Sequence, residues 1–267
     1  MATARLTGAP QALRHTWYLT GRRLHAVARQ PAFIGISLIQ PVIWLFLFGQ
    51  LFRKVIDIPG FGAGGSYLDY LIPGIVAMNA MNANMWAGMN TMEEIDRGTL
   101  NRFLVSPASR IGLMNANVVE LAVTTTVQSV IIGLLGLAGG AHYPGGVAGA
   151  ALVAVASILV GAIFGMGSNA IGMLVRQREA IIGISVFFML PLTFLSSAFM
   201  PATLMPGWMR GIAACNPLNW AVQAGRAALN AGTDWAGVAA RGGGLLALAV
   251  VCVAVSAATF RSYQKSV

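Results

Sequence analysis

The sequence has little charge and few of the residue types on which catalysis and metal binding depend. Only 9% of its 267 residues are charged, while 57% are hydrophobic. It contains two cysteines, three histidines and two lysines, and no cluster of these with Asp or Glu has the spacing of a metal site. Neither lysine follows a glycine, so the phosphate-binding loop G-x-x-x-x-G-K-[ST] is missing. We therefore expect no catalytic centre and no metal site in this sequence, and any ATP would have to be bound by another chain.

The most abundant feature is apolar sequence in runs of membrane length. Six runs lie at about residues 31–52, 70–92, 113–138, 147–174, 180–200 and 243–260. Each run is long enough to cross a hydrocarbon core of about 30 Å as a helix. Lipid offers backbone amides no hydrogen-bonding partner, so a run that crosses it must be helical. The sequence therefore predicts an all-α, polytopic membrane protein with six transmembrane helices.

Basic residues are distributed unevenly between the segments that join these runs. The formal net charge of +9 would suggest nucleic acid in a soluble protein, but membrane proteins concentrate Lys and Arg on the cytoplasmic side. With the N-terminus inside, twelve Lys and Arg fall on the inner side and five on the outer side, and Arg226 is one of the five. Both termini are therefore predicted to be cytoplasmic, and no nucleic-acid partner is expected. The first run is too long for a cleavable signal peptide.

The chain divides into three predicted regions. Residues 1–30 form a cytoplasmic N-terminal region, in which 11–30 are predicted to be a basic amphipathic helix at the inner membrane surface. A solvated basic helix face is the alternative. Residues 31–260 form the membrane domain and 261–267 a cytoplasmic tail. Cys215 and Cys252 fall in an outer segment and inside the last run, so we expect no disulfide between them.

Two segments between the runs have a character of their own. Residues 93–110, EEIDRGTLNRFLVSPASR, are strongly polar but contain enough apolar residues to dock a short helix. They are predicted to lie on the cytoplasmic side. Residues 201–242 contain Pro, Trp and apolar residues, which favours short helices at the outer interface, or re-entering it, over a flexible loop.

Polar and methionine side chains form stripes along the second and third runs. Polar groups at lipid depth usually bond across helices, so one interpretation is packing and the other is a polar seam beside a translocation path. The candidate path residues are Asn79, Asn82, Met85, Trp86, Asn90, Asn117, Thr124 and Gln128. The sequence leaves open whether Glu120 lies within the hydrocarbon.

The fourth run carries small residues on one face. These are Ser157, Gly161, Gly165, Ser168 and Gly172. Small residues at this spacing let two helix backbones approach closely. The sequence does not decide whether the close approach occurs within one subunit or between two.

Three stretches of the sequence carry motifs that match one family of membrane proteins. The first is LPLTFLSSAFMPATLMPGWMRGIAACNPLNWAVQAGRAAL at 190–229. Its matching residues include Pro201, Pro206, Trp208, Asn216, Pro217 and Arg226. The second is DRGT at 96–99, followed by Arg102 and the Ser-Pro pair at 106–107, and the third is YLIPGIVAM at 70–78. Together these stretches resemble the type-2 ABC export permeases, the family that includes daunorubicin-resistance-like membrane subunits. The likeness spans about residues 30–260.

This resemblance implies the membrane subunit of an ATP-driven exporter in a bacterial cytoplasmic membrane. Its cargo would be hydrophobic or amphipathic, such as a drug, lipid or secondary metabolite. Two permease subunits, either identical or paralogous, would assemble with two cytoplasmic ATPase subunits, and ATP with magnesium would bind to the ATPases. The segment 93–106 would be a coupling helix in a cleft of the ATPase, residues 11–30 would also touch that subunit, and 201–229 would form outer re-entrant helices. The implied coupling residues are Glu93, Glu94, Asp96, Arg97, Arg102 and Phe103.

Other function classes fit the residues less well. Polysaccharide export occurs in the same superfamily, but such channels often line their path with aromatics, and the sequence shows no dense aromatic ladder. An ion-coupled secondary transporter or channel would need buried paired charges, which are scarce. A membrane enzyme lacks a catalytic constellation, and the polar stripes argue mildly against a purely structural anchor.

Overall fold

The structure is a computed structural model that describes the backbone of residues 31–58, 61, 66–97, 110–175, 177–230 and 234–266. Within these ranges the chain is helical and contains no strand, which confirms the all-α prediction. The predicted amphipathic helix at 11–30 lies outside the described residues, as do Arg102 and Phe103. The side chains of Glu94 and Asn117 also lie outside them.

The helices are numbered here in chain order. Helix α1 covers Pro31–Ile43 and continues as a π-helical turn at Trp44–Phe48 and a short helical turn at Gly49–Leu51. The next helices are α2 (Tyr67–Met85), α3 (Ala87–Asp96), α4 (Arg110–Ala138), α5 (Gly146–Val175), α6 (Arg178–Phe194), α7 (Gly207–Cys215), α8 (Pro217–Leu229) and α9 (Trp235–Ser266). Short 3-10 helices lie at Arg53–Asp57 and Ala202–Leu204.

Three of these helices are long and apolar enough to cross a membrane. The spans are Val118–Ala138 in α4, Gly146–Val175 in α5 and Trp235–Ser262 in α9. A shorter apolar helical stretch covers Gly35–Leu51. Large hydrophobic side chains lie exposed on α1, α6 and α9, as expected of surfaces that face lipid. These features support a polytopic membrane protein, and the count of six crossing helices stays a prediction.

Two helix boundaries differ from the predicted runs. The fifth run is predicted to reach residue 200, but α6 ends at Phe194, where the Asn216 side chain donates to two carbonyl oxygens of the last turn. The sixth run is predicted to begin at 243, but α9 begins at Trp235. The carboxylate of Asp234 accepts a hydrogen bond from the backbone N–H of Gly237 at 3.0 Å, and so caps the first turn. In both places a polar side chain sets the boundary.

Helix α2 lies at the centre of the bundle. Sixteen of its nineteen residues are buried, and it packs against α4, α5 and α8. Its methionine stripe belongs to this core, since Met78, Met81 and Met85 are all buried. The central helix is therefore covered on nearly every side, so both of its predicted stripes contact protein.

The small-residue face of α5 contacts α2 and α3 within the same chain. A methyl group added to Gly161 would stand 2.8 Å from Asn84 Nδ2, and one added to Gly172 would stand 2.7 Å from the carbonyl oxygen of Gly88. These separations are shorter than ordinary van der Waals contact. Of the two possibilities that the sequence leaves open, the structure therefore shows close packing within one chain.

A break at Trp86 separates α2 from α3. The backbone of Trp86 has φ −88° and ψ 0°, between helical and extended values. The hydroxyl of Ser168 lies in the break, accepting a hydrogen bond from Gly88 N at 2.9 Å and donating one to the carbonyl of Met85 at 2.6 Å. The Ser168 hydroxyl thus pairs with one backbone donor and one backbone acceptor that lack a partner within α2 and α3. Through this side chain, α5 fixes the positions of α2 and α3 relative to each other.

Candidate functional site

The described part of the predicted coupling segment is the last turn of α3. Glu93 and Arg97 form an ion pair four residues apart, and Asp96 ends the helix. The resemblance implies a coupling helix over 93–106. The structure shows residues 93–96 as the end of α3, and the segment from 98 to 106 lies beyond the described residues. The coupling role of these residues stays a prediction.

Asp96 has a partner that the sequence analysis missed. Its carboxylate oxygen Oδ2 lies 2.8 Å from Nη2 of Arg178, the first residue of α6. The hydrogen bond and the charge of Asp96 raise the pKa of the Arg178 guanidinium above its ordinary value. Both side chains are about half exposed, at 50% for Arg178 and 49% for Asp96. The fold thus joins the polar end of α3 to the beginning of α6.

Two of the candidate path residues bond to each other across helices. Asn79 on α2 donates from Nδ2 to Oε1 of Gln128 on α4 at 3.0 Å, and Gln128 donates in turn to the hydroxyl of Ser37 on α1 at 3.1 Å. Nearby, Asn84 donates to the Thr125 hydroxyl at 3.2 Å. This outcome fits the packing interpretation at these positions. Asn84 and Thr125 were not predicted, although both are polar residues within apolar runs.

The other candidate path residues are in different environments. Met85 is buried in the core, Trp86 is half-buried at the helix break and Asn90 is exposed. Thr124 donates its hydroxyl hydrogen to the carbonyls of its own helix. The Oδ1 atom of Asn82 is buried and has no hydrogen-bond partner among the described residues. The structure therefore does not bring the eight candidates together as one polar surface, and a translocation path along them stays a prediction.

The 190–229 stretch, which is the predicted outer signature, forms a compact network of hydrogen bonds, most of them between a side chain and the backbone. Asn216 caps α8 by accepting from Leu218 N at 2.9 Å. One turn on, Asn219 accepts from both the N–H and the hydroxyl of Ser197, at 2.9 and 2.6 Å, and donates to the carbonyl of Ala213 at 2.8 Å. These two asparagines hold together the end of α6, the turn that follows it, α7 and α8.

The prolines and Trp208 of the signature lie at helix starts. Pro201 precedes the 3-10 helix, Pro206 precedes α7, and Pro217 is the first residue of α8. Proline suits such positions because its fixed φ is helical and its missing N–H would be unpaired there. Trp208 is 65% exposed. The short helices predicted in this segment are therefore present, and their location at the outer face stays a prediction.

Arg226 is one of the five Lys and Arg predicted on the outer side, and it lies part-buried on α8. Its Nε donates to the carbonyl of Tyr70 at 3.0 Å, and Nη2 donates to the carbonyls of Ser197 and Ala198 at 2.6 and 3.0 Å. The guanidinium also stands 3.4 Å from the centre of the Tyr70 ring. Carbonyl dipoles and an aromatic face stabilise a cation that has no acidic partner among the described residues.

An aromatic cluster near the same end of the bundle was also missed. Ring centroids separated by 4.3–6.2 Å link rings from α1 and the segment after it, from the start of α2, and from residues 194–199. The members are Trp44, Phe48, Phe52, Phe61, Tyr67, Tyr70, Phe194 and Phe199. The sequence shows no ladder because these rings come from distant segments. Most of them are buried or half-buried, so the cluster packs the interior.

Asp69 joins the start of α2 to the loop between α4 and α5. Its Oδ2 accepts from Ser66 N at 2.9 Å in a capping box, and Oδ1 accepts from the backbone N–H of His142 at 2.7 Å. In the same loop the Tyr143 hydroxyl donates to the carbonyl of Gly133 at 2.8 Å. Burial, with a smaller effect from the charge of Asp69, raises the pKa of Tyr143 to about 12. Tyr143 therefore stays protonated, and able to donate, at any physiological pH.

Comparison with known proteins places most of the chain in one family model. Residues 14–230 match the model described as ABC-2 type transporter. This match includes the polar end of α3, the helix break at Trp86 and the hydrogen-bond network of the 190–229 stretch.

Individual relatives agree with that match. The chain is 28% identical over 233 residues to the daunorubicin resistance ABC transporter permease protein DrrB1 of Streptomyces coeruleorubidus, covering 84% of this chain and 76% of that protein. It is 28% identical over 218 residues to the protein of Porphyra purpurea named as transport permease ycf38. That match covers 81% of this chain and 74% of the relative. It is 26% identical over 154 residues to the probable multidrug ABC transporter permease YbhR of Escherichia coli strain K12. That match covers 57% of this chain and 41% of the relative.

Proposed function

The chain belongs to the ABC-2 type transporter family, and on that basis we propose that it is the permease subunit of an ATP-driven exporter of hydrophobic or amphipathic molecules. The observation that carries this proposal is the family match over residues 14–230, which also confirms the resemblance seen in the sequence. The relatives named as ABC transporter permeases support it.

We propose that six helices cross a bacterial cytoplasmic membrane, with both termini inside. In this arrangement the polar end of α3 faces the cytoplasm, and α7 with α8 lies at the outer end. The sequence contains no phosphate-binding loop, so the proposal assigns ATP and magnesium to two copies of a cytoplasmic ATPase subunit. A second permease subunit, identical or paralogous, completes the transporter. Membrane lipid surrounds it, and no nucleic acid takes part.

The proposed coupling surface consists of charged residues at the end of α3 and in the segment that follows. Glu93, Asp96 and Arg97 are all at least partly exposed there, where a partner chain can reach them. Complementary charges set the orientation and rate of docking more than its strength. ATP binding and hydrolysis on the partner would then displace this end of the bundle and change the side from which cargo has access.

The proposed cargo class follows from the relatives and is compatible with the interior. DrrB1 is named for daunorubicin resistance and YbhR for multidrug transport. Methionine is polarizable and flexible, and a core rich in it can adapt to apolar molecules of different shape. The aromatic cluster is mainly internal, and so it adds no support for polysaccharide as the cargo.

The first test is purification of the tagged chain in mild detergent from cells that make it naturally, with mass spectrometry of the retained proteins. We expect an ATPase subunit in stoichiometric amount. The double change Asp96→Ala and Arg97→Ala should release it, while Arg210→Ala, on the exposed side of α7, should not.

The second test uses the complex from the first, reconstituted in liposomes with daunorubicin as the probe. Daunorubicin movement that needs ATP, and that stops when the ATPase subunit is omitted, would support the proposal. Purification of this chain alone, together with uptake driven by an ion gradient, would replace it with an ion-coupled secondary transporter.

A further inference from the structure

Helix α6 contacts the α2–α3 unit at the two ends of a stripe of residues on one of its faces. The residues are Arg178, Ile181 and Ser185, at positions i, i+3 and i+7 of the helix, which lie on one face. Ile181 is 1% exposed. The hydroxyl of Ser185 lies 3.3 Å from the carbonyl oxygen of Met85, at the break between α2 and α3. The two contacts of the stripe therefore lie at the beginning and at the end of α3.

The two ends of this stripe differ in chemistry. At the helix break the contact is buried and is supported by the Ser168 hydroxyl, so this end is anchored. At the other end, Arg178 Nη2 binds Asp96 Oδ2 at 2.8 Å in a half-exposed ion pair. A half-exposed pair contributes little to stability, because water and salt screen it. Its position is more informative than its strength, since it ties the last residue of α3 to the first residue of α6.

We propose that Arg178 is a coupling residue that passes displacement of the polar end of α3 to α6. This inference rests on the proposed function, because the displacement is the one that the ATPase partner would produce. Movement of Asp96 draws the Arg178 guanidinium with it, while the Ser185 contact holds the middle of α6 near the break. The result is a tilt of α6 about the helix break. In this role Arg178 positions α6 relative to the polar end of α3.

Two explanations compete for the same ion pair. If Asp96 serves only to bind the ATPase, Arg178 is a neighbour that happens to reach it, and removing Arg178 has no effect on transport. If the pair transmits movement, removing either charge lowers the amount of cargo moved per ATP hydrolysed. A double-mutant cycle separates these cases, because it isolates the effect that depends on both partners.

The cycle uses the isosteric change Asp96→Asn and the charge-removing change Arg178→Gln in the complete complex with its ATPase. The readout is daunorubicin moved per ATP hydrolysed in liposomes, with the amount of bound ATPase and the melting temperature measured alongside. We expect Arg178→Gln to lower this ratio about two- to fivefold, the range that an exposed ion pair can support. The ATPase should stay bound. Asp96 also belongs to the proposed coupling surface, so the Asp96→Asn proteins are compared at equal amounts of bound ATPase. In that background Arg178→Gln should cause no further loss, whereas in the otherwise unchanged chain Arg178→Lys should keep most of the ratio.

The matched control is Glu179→Gln, which removes an exposed charge from the adjacent residue. It should leave the ratio unchanged. An equal fold-loss on Arg178→Gln with and without Asp96 would overturn the inference, as would no loss at all in a complex that still transports. Failure of the unchanged chain to bind an ATPase or to move daunorubicin with ATP would instead refute the proposed function, and the inference would fall with it.

Discussion

Replacement of Arg226 by glutamine should lower the stability of the bundle much more than the same replacement of an exposed arginine. The guanidinium donates three hydrogen bonds to carbonyls of Tyr70, Ser197 and Ala198, which belong to two separate segments. A hydrogen bond to a charged group contributes about 1.5–3 kcal/mol, and an acceptor left unpaired in a buried place costs about 1–3 kcal/mol. The guanidinium is only part-buried, so water can replace some of what is lost. We expect a total loss of about 3–4 kcal/mol.

Thermal unfolding of the purified protein in detergent measures this loss. For a chain of this size, about 1 kcal/mol corresponds to about 2–4 °C, so Arg226→Gln should lower the melting temperature by about 6–16 °C. Arg226→Lys should be almost as harmful. A single ammonium keeps the charge, but it does not have the planar fork that reaches carbonyls on two segments at once.

The control is Arg210→Gln on α7. Arg210 is also counted from sequence as an outer basic residue, but its side chain is exposed. Its removal should shift the melting temperature by less than about 2 °C. Equal melting temperatures for the Arg226→Gln and Arg210→Gln proteins would refute the assignment of Arg226 as a structural cation.

The remaining predictions concern packing within the bundle and use the same unfolding measurement. A methyl group at Gly88 would stand 2.3 Å from the carbonyl oxygen of Ser168, so Gly88→Ala should destabilise by about 1–3 kcal/mol. Gly167→Ala, with nothing within 4 Å, should be neutral or slightly stabilising, and equal effects at the two glycines would show that the close approach is not real. Ser168→Ala removes the hydroxyl that bonds both sides of the helix break and should cost about 1–3 kcal/mol, whereas an unchanged melting temperature would mean that the break needs no support. Asn79→Leu should cost about 1–3 kcal/mol by leaving the Gln128 Oε1 atom without its donor, and adding Gln128→Leu should recover part of the loss; additive losses would contradict direct pairing.

Local pattern was sufficient for the all-helical class and for some of the contacts. Long apolar runs predicted helices because no other structure satisfies the backbone in lipid. The polar stripes predicted that Asn79 and Gln128 would face the interior, and they bond there. The small-residue face of α5 predicted a close approach, which the structure places against α2 and α3.

Long-range contacts were beyond the reach of the sequence. The contact of Arg178 with Asp96 was not predicted, because the two residues are eighty-two positions apart. Arg226 was predicted only as an outer basic residue of the 190–229 stretch, because hydropathy does not show that backbone carbonyls from other segments surround it. The aromatic cluster was missed for the same reason, since no one segment holds more than a few of its rings.

The sequence by itself determined that this chain is helical, that it is built for a membrane and that it resembles one transporter family. Those properties depend on composition, on hydrophobic run length and on short motifs, all of which are local. The tertiary structure decided which polar groups are paired, that α5 packs its small face within the chain, and that Asp96 meets Arg178. The physical reason is that a buried polar group or a close backbone contact is defined by atoms from several helices, and only the packed bundle brings those atoms within bonding distance.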